Sequence, residues 1–146
     1  MPQPTANRRG AVAVIHEGQR LLVIRRSQHV VAPGAYCFPG GAIESGESEE
    51  VALVRELREE LNVDVLPVRR IWQSVTPWQV ELAWWLARLA PGSSPRAAPA
   101  EVESFHWHTL EEMGALPELL ESNRQFLAAV ERGEISLEEP SARREN

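Results

Sequence analysis

Residues 38–63 read FPGGAIESGESEEVALVRELREELNV, and the fold turns on this stretch. Residues 47–61 contain neither Gly nor Pro and are rich in Glu, Leu, Val and Arg, so they are predicted to be a helix. Val51, Val54, Leu57 and Leu61 recur at three- or four-residue spacing and predict one apolar stripe. At about 100° per residue, Glu56, Glu59 and Glu60 then cluster on the face opposite that stripe. Three carboxylates within little more than one turn repel one another and weaken a helix. A hard divalent cation relieves the repulsion. Magnesium takes oxygen ligands, commonly one or two carboxylates plus substrate phosphates. Upstream, Pro39-Gly40-Gly41 predicts a turn where backbone approaches closely, because glycine carries no Cβ. An isolated acidic run is ordinarily a solvated helix face. Here the glycine turn, Glu47, Arg55 and the carboxylates fall in one register, which favours a metal site.

Gly41 is separated by five residues from Glu47, and seven more lead to Arg55-Glu56-Leu57, with Glu59, Glu60 and Val63 completing the run. The pattern resembles the Nudix (MutT-like) signature GX5EX7REUXEEXGU, in which U is a bulky aliphatic residue. One position departs: Asn62 stands where the signature has its last glycine. A glycine there would end the helix with positive φ, a role Asn fills second best, so a modest loss of stability and an intact metal site are expected. The resemblance implies an α/β (α+β) fold, the Nudix-type α/β/α sandwich with a mixed central sheet. It also implies a Mg²⁺-dependent hydrolase, with Mn²⁺ able to substitute, that directs water onto phosphorus in a diphosphate linkage. The substrate would be a nucleoside triphosphate or a nucleoside-diphosphate derivative. By the same resemblance Glu56, Glu59 and Glu60 are metal ligands and the Gly40 carbonyl a backbone ligand. One of the carboxylates generates the nucleophile, and the sequence leaves open which. Glu47 and Arg55 brace the site. Glu101 and Glu103 lie where family members often supply a further ligand or base, exposed surface being the competing reading for each.

Three further features are similar to MutT-type nucleoside triphosphate pyrophosphohydrolases. Arg26 precedes Phe38 by twelve residues, like a phosphate-contacting arginine, and a guanidinium can grip phosphate oxygens by paired bonds. An arginine ending a strand in solvent is the alternative. The segment 79–86, with Val80 and the aromatic pair Trp84-Trp85, resembles a strand lining a base pocket. The two tryptophans point to opposite faces of a strand, so at least one belongs to packing. Asn123 resembles a base-reading amide placed before the last helix; an N-cap is the competing and slightly favoured reading. Trp78 is assigned to the substrate site, although MutT-type proteins carry a polar side chain there, which argues against identical specificity. The MutT-type activity is favoured over an ADP-ribose, sugar-nucleotide or dinucleotide pyrophosphatase. A non-catalytic nucleotide-sensing module comes last, because a sensor would be free to lose a glutamate of the signature and this chain keeps them all.

At 146 residues the chain suits one domain, burying roughly 70% of its unfolded surface. Residues 1–10 are expected to be a flexible N-terminus, 11–133 the Nudix domain and 134–146 a charged tail. Within the domain, strands are predicted at 11–15, 20–26, 65–75, 79–89 and 102–108, a flexible connection at 91–99 and a helix at 124–132. A net charge of −6 argues against a nonspecific nucleic-acid binder, so the expected partner is a small-molecule nucleotide. A lone Cys37 excludes an internal disulfide and fits a reducing compartment. The opening MPQPTANRRG lacks an apolar core, and no run reaches membrane-spanning length, so a cytoplasmic location without membrane partners is expected. Oligomeric state is not fixed by the sequence.

Overall fold

The computed structural model describes residues 8–138. In chain order the elements are β1 (Arg8–Glu17), β2 (Arg20–Arg26), β3 (Tyr36–Cys37), β4 (Gly40–Ala42), α1 (Glu49–Leu61), β5 (Val65–Val75), β6 (Val80–Leu89), β7 (Val102–His108), α2 (Leu110–Gly114) and α3 (Glu121–Glu131). β1 organises the sheet. One edge runs parallel to β6 from Arg8↔Val80 to Ile15↔Ala87. The other edge is shared: β4 pairs antiparallel with Gly10–Val12, and β2 pairs with His16 and Glu17. β2 carries β3 and β7, and β6 carries β5, giving a mixed sheet.

Alternation along the strands divides the apolar residues between two faces. Ala11, Ala13, Ile15, Leu22 and Ile24 meet Leu53, Leu57 and Leu61 of α1. Val14, Leu21, Val23 and Trp84 meet Phe126 and Ala129 of α3. The result is the expected α/β/α sandwich, with a core on each side of the sheet.

Several expectations are corrected. Residues 8–10 belong to β1 instead of a flexible N-terminus, because they pair with β6 and β4; residues 1–7 lie outside the described residues. The start of the charged tail packs back on the sheet: Ile135 is buried, and Arg69 Nη2 donates to the Ser136 and Glu138 carbonyls at 3.2 and 2.7 Å. Residues 139–146 are not described. The connection at 91–99 is pinned to the end of α1, Arg96 N–H reaching the Leu61 carbonyl at 2.7 Å and Ala98 N–H the Glu60 carbonyl at 2.9 Å. α2 was not foreseen, although Thr109 and Glu112 form its capping box.

The apolar face of α1 is also rotated from the expected one. Val51 is 55% exposed, whereas Ala52, Leu53, Leu57 and Leu61 are buried. Glu60 shares the buried side, only 5% exposed, because the β4 turn lies over it. Last, α3 begins at Glu121 with Leu120 in the cap position and no side-chain cap bond. Asn123 therefore lies inside the first turn, and the N-cap reading fails.

Burial of this kind has a measurable consequence. Leu57→Ala is expected to destabilise the protein by about 2–5 kcal/mol, whereas Val51→Ala should stay within about 0.5 kcal/mol of wild type. Denaturant midpoints check this, and equal losses would mean that α1 presents a different face to the sheet.

Candidate active site

The site forms where the β4 turn crosses α1. Gly40 has φ 151°, and a Cβ there would overlap the Ala11 carbonyl and Val12. A Cβ on Gly41 would overlap the Glu56 carboxylate. Gly40 therefore lets the turn lie against β1 and Gly41 lets it lie on the helix, because neither carries a side chain. Gly40 N–H then donates to Glu60 Oε1 at 3.0 Å.

Arg55 ties the acidic groups together. Its Nε and Nη2 grip the two Glu47 oxygens at 2.7 and 2.8 Å, and Nη2 also reaches the Ala42 carbonyl at 2.8 Å. Nη1 donates to Glu56 Oε2 at 3.1 Å and Glu59 Oε1 at 3.3 Å. The paired bonds from Arg55 hold the Glu47 carboxyl down at about 2. Burial has the opposite effect on the other two. It raises Glu56 against the pull of Arg55, and it pushes Glu60 up to about 8 despite the Gly40 N–H. The negative charge of Glu101 adds to both shifts, so Glu101 stands within electrostatic reach of Glu56 and Glu60. Glu103 instead faces Arg25 at 3.7 Å. Of the two alternatives downstream, Glu101 is the one whose charge bears on Glu56 and Glu60, and Glu103 is turned to Arg25.

Beside these carboxylates opens a cavity of about 270 Å³, walled by β1, β6 and the first turn of α3. Val12, Phe38, Val80, Leu82 and Leu120 supply apolar surface, and Arg8, Arg9, Arg26, Ser122 and Asn123 supply polar groups. Arg26 Nε donates to the Val31 carbonyl at 2.6 Å, which orients the guanidinium along the wall. Asn123 is buried, its Oδ1 accepting from Phe38 N–H at 2.9 Å and its Nδ2 donating to Ser122 Oγ at 3.2 Å. Cys37 also lines the cavity, and burial pushes its thiol up to about 11, so it presents a neutral group.

Arg26, Val80 and Asn123 are thus gathered as the sequence suggested. Trp78 is not; it sits 64% exposed in the turn before β6, outside the cavity lining. The aromatic pair is diverted too. Trp84 stacks on Phe126 at 4.8 Å in the core, and Trp85 Nε1 donates to Glu49 Oε1 at 2.8 Å. Sequence reasoning missed Arg8, Arg9 and Leu82. The signal was available in the dibasic pair before an alternating strand, and in Leu82 sharing a strand face with Val80.

The donor set is all hard oxygen, and Glu56, Glu60 and Glu101 raise one another's charge energy, which suits a divalent cation of magnesium type. Among the described residues no three carboxylate, His or Cys side chains converge on one point. Glu59 is held apart by Arg55, its side chain 51% exposed. Buried Glu60 and half-buried Glu56, with the remaining positions left to water and substrate phosphate, match how magnesium is commonly bound.

The chain matches the NUDIX domain family over residues 6–144. It is 31% identical over 106 residues to the NAD-capped RNA hydrolase NudC of Stutzerimonas stutzeri, covering 73% of this chain and 38% of that protein. The chain thus spans well under half the length of the curated relatives it matches. A MutT protein from Methanosarcina mazei Go1 superposes with a TM-score of 0.75 at 20% identity, covering 90% of this chain and 98% of that one. A MutT NUDIX hydrolase from Burkholderia pseudomallei superposes with a TM-score of 0.64 at 25% identity, covering 86% and 99%.

Glu60 and Glu47 shift in opposite directions, so their pH signatures separate. Glu60 titrates higher folded than unfolded; its contribution to stability is present below about pH 4.5 and lost as pH rises towards 8. Glu47 titrates lower folded; its contribution is present above about pH 4.5 and lost as pH falls towards 2. In chelator-treated protein, Glu60→Gln should therefore flatten the decline of Tm towards pH 8, and Glu47→Gln should flatten the acid limb. A Glu60→Gln profile parallel to wild type across that window would contradict the buried carboxyl.

Proposed function

The chain belongs to the Nudix family, and from that membership we propose that it is a Mg²⁺-dependent hydrolase of a diphosphate linkage in a nucleotide, with Mn²⁺ able to substitute. The observation that carries this reading is the pair Glu56 and Glu60, pressed under the Gly40-Gly41 turn at the edge of the cavity. Glu56, Glu60 and the Gly40 carbonyl would hold the cation, with Glu59 joining them once it leaves Arg55. When bound, the cation supplies neutralisation of the diphosphate oxygens and lowers the cost of generating a nucleophile from water. Arg26 meets the phosphate from the cavity wall. Glu47 and Arg55 keep the helix carboxylates in place. Exposed Glu101 is then the carboxylate available to take the proton from attacking water, Glu59 being held by Arg55 and assigned to the cation.

A nucleoside triphosphate, the MutT-type substrate, is favoured by the size of the cavity. A volume of about 270 Å³ falls just under the usual range for drug-sized ligands, which suits one nucleobase better than a whole dinucleotide. With Oδ1 on Phe38 N–H and one Nδ2 hydrogen on Ser122 Oγ, Asn123 keeps its second amide hydrogen for the base edge, while Val80, Leu82 and Phe38 cover the ring faces. Trp78 would meet only a ligand that extends beyond the cavity. The second reading is a dinucleotide or ADP-ribose pyrophosphatase. It is supported by the similarity to NudC and by Arg8 and Arg9, which place positive charge on the cavity lining.

Glu56→Gln and Glu60→Gln should each lower kcat roughly 10²-fold or more, the scale of losing one charge-stabilising group, with the circular dichroism spectrum unchanged. Wild-type protein should lose activity in excess EDTA and regain it with Mg²⁺. A substrate panel of nucleoside triphosphates, oxidised purine triphosphates, ADP-ribose, dinucleoside polyphosphates and NADH should show its highest kcat/KM for a triphosphate. Activity of Glu60→Gln within a few-fold of wild type at limiting Mg²⁺ would rule out the metal assignment, and a preference for NADH or ADP-ribose would select the second reading.

A further inference from the structure

Asn62 replaces the last glycine of the signature, and it makes a contact that glycine cannot make. Its backbone adopts the left-handed conformation, φ 53° and ψ 39°, with its N–H on the Arg58 carbonyl at 3.0 Å. The helix therefore ends as a glycine would end it. The side chain then adds a bond: Nδ2 donates to the Arg96 carbonyl at 2.8 Å. Arg96 N–H returns to the Leu61 carbonyl and Ala98 N–H to the Glu60 carbonyl, so residues 96–98 are stitched to the last turn of the helix that carries the site. From there the chain turns sharply, Glu101 N–H and Val102 N–H both reaching the Ala98 carbonyl at 2.9 Å. Buried Ser27 holds the far side of the turn, its N–H on the Glu101 carbonyl at 3.2 Å and its Oγ on the Ala100 carbonyl at 3.0 Å. What this turn presents is Glu101, the downstream carboxylate that reaches Glu56 and Glu60 electrostatically.

We propose that Asn62 is a positioning residue whose side-chain amide anchors residues 96–101 to the end of α1 and so sets where Glu101 meets the cation and diphosphate. This inference rests on the reading of Glu101 as part of that site. The bond is solvent-exposed and accompanied by two backbone bonds, so it adds little to global stability. Its effect is local: without it residues 96–98 keep only their two backbone bonds to α1, and Glu101 spends less time in place. The competing account is that Asn62 is merely the next-best residue for a left-handed helix end. That account makes the opposite forecast, since glycine would then be neutral or better.

Asn62→Gly in the full chain separates the two, because glycine keeps the helix end and removes only the amide. Mn²⁺ affinity is measured by electron paramagnetic resonance without substrate, together with kcat, KM and Tm, for Asn62→Gly, Glu101→Gln and the double variant. The expected result for Asn62→Gly is a loss of Mn²⁺ affinity and kcat of roughly tenfold, the lower end for removing a hydrogen-bond partner behind a metal ligand, with Tm unchanged or raised. The double variant should be no worse than Glu101→Gln, because both changes act through one carboxylate. Wild-type affinity and kcat in Asn62→Gly, alongside a loss in Glu101→Gln, would overturn the anchor and leave the site reading standing. Additive losses in the double variant would overturn it as well. If Glu101→Gln itself changes neither affinity nor kcat, the role of Glu101 fails and the anchor falls with it.

Discussion

Every N–H of the Arg55 guanidinium is used, two on Glu47, one on the Ala42 carbonyl, and one each on Glu56 and Glu59. Without that cation α1 would carry an uncompensated acidic cluster against a partly buried surface, and like charges at helical spacing oppose the helix that bears them. The geometry is one only a planar five-donor group can satisfy. A lysine ammonium has three donors on a flexible stem and could not span the loop carbonyl and three carboxylates together. Arg55 therefore lets the protein fold around an acidic site before any ligand arrives, and it joins the β4 turn to α1 in the same act.

The remaining element of that junction is backbone contact. Gly40 lets the turn lie against β1 and Gly41 lets it lie on the helix, and Gly40 N–H is given to a buried Glu60. Burial makes that carboxylate reluctant to ionise, which is a cost the fold carries. A site that raises its own carboxylates in this way is primed to take up positive charge. β1 connects this site to the cavity, since its first residues hold β4 on one edge and β6 on the other, and its side chains line the space between.

Tertiary packing overrode local expectation wherever a side chain had two plausible environments. Trp84 and Trp85 looked like a stacking surface for a base, yet one fills the core against Phe126 and the other anchors Glu49 at the start of α1. Asn123 looked like a cap, yet the last helix begins two residues earlier and its amide oxygen accepts from Phe38 N–H. The apolar stripe of α1 was placed correctly at Leu57 and Leu61 and wrongly at Val51, because helical periodicity fixes spacing but not the angle at which the sheet meets the helix.

By itself the sequence determined the helix, its carboxylates, the glycine turn and the Glu47–Arg55 pair, since all of these lie within one continuous run whose spacing is read off directly. It also determined the sandwich, through the family pattern that this run carries. Only the tertiary structure decided that Glu60 is buried while Glu59 is exposed, that Glu101 comes within electrostatic reach of Glu56 and Glu60 while Glu103 faces Arg25, and that Arg8, Arg9 and Leu82 line the cavity beside Val80 and Asn123. Those outcomes depend on contacts between residues twenty or more positions apart, made by the β4 turn over Glu60, by parallel pairing of β1 with β6 and by the docking of residues 96–98 on α1. No local periodicity records such contacts, because each is set by where two separately formed elements come to rest.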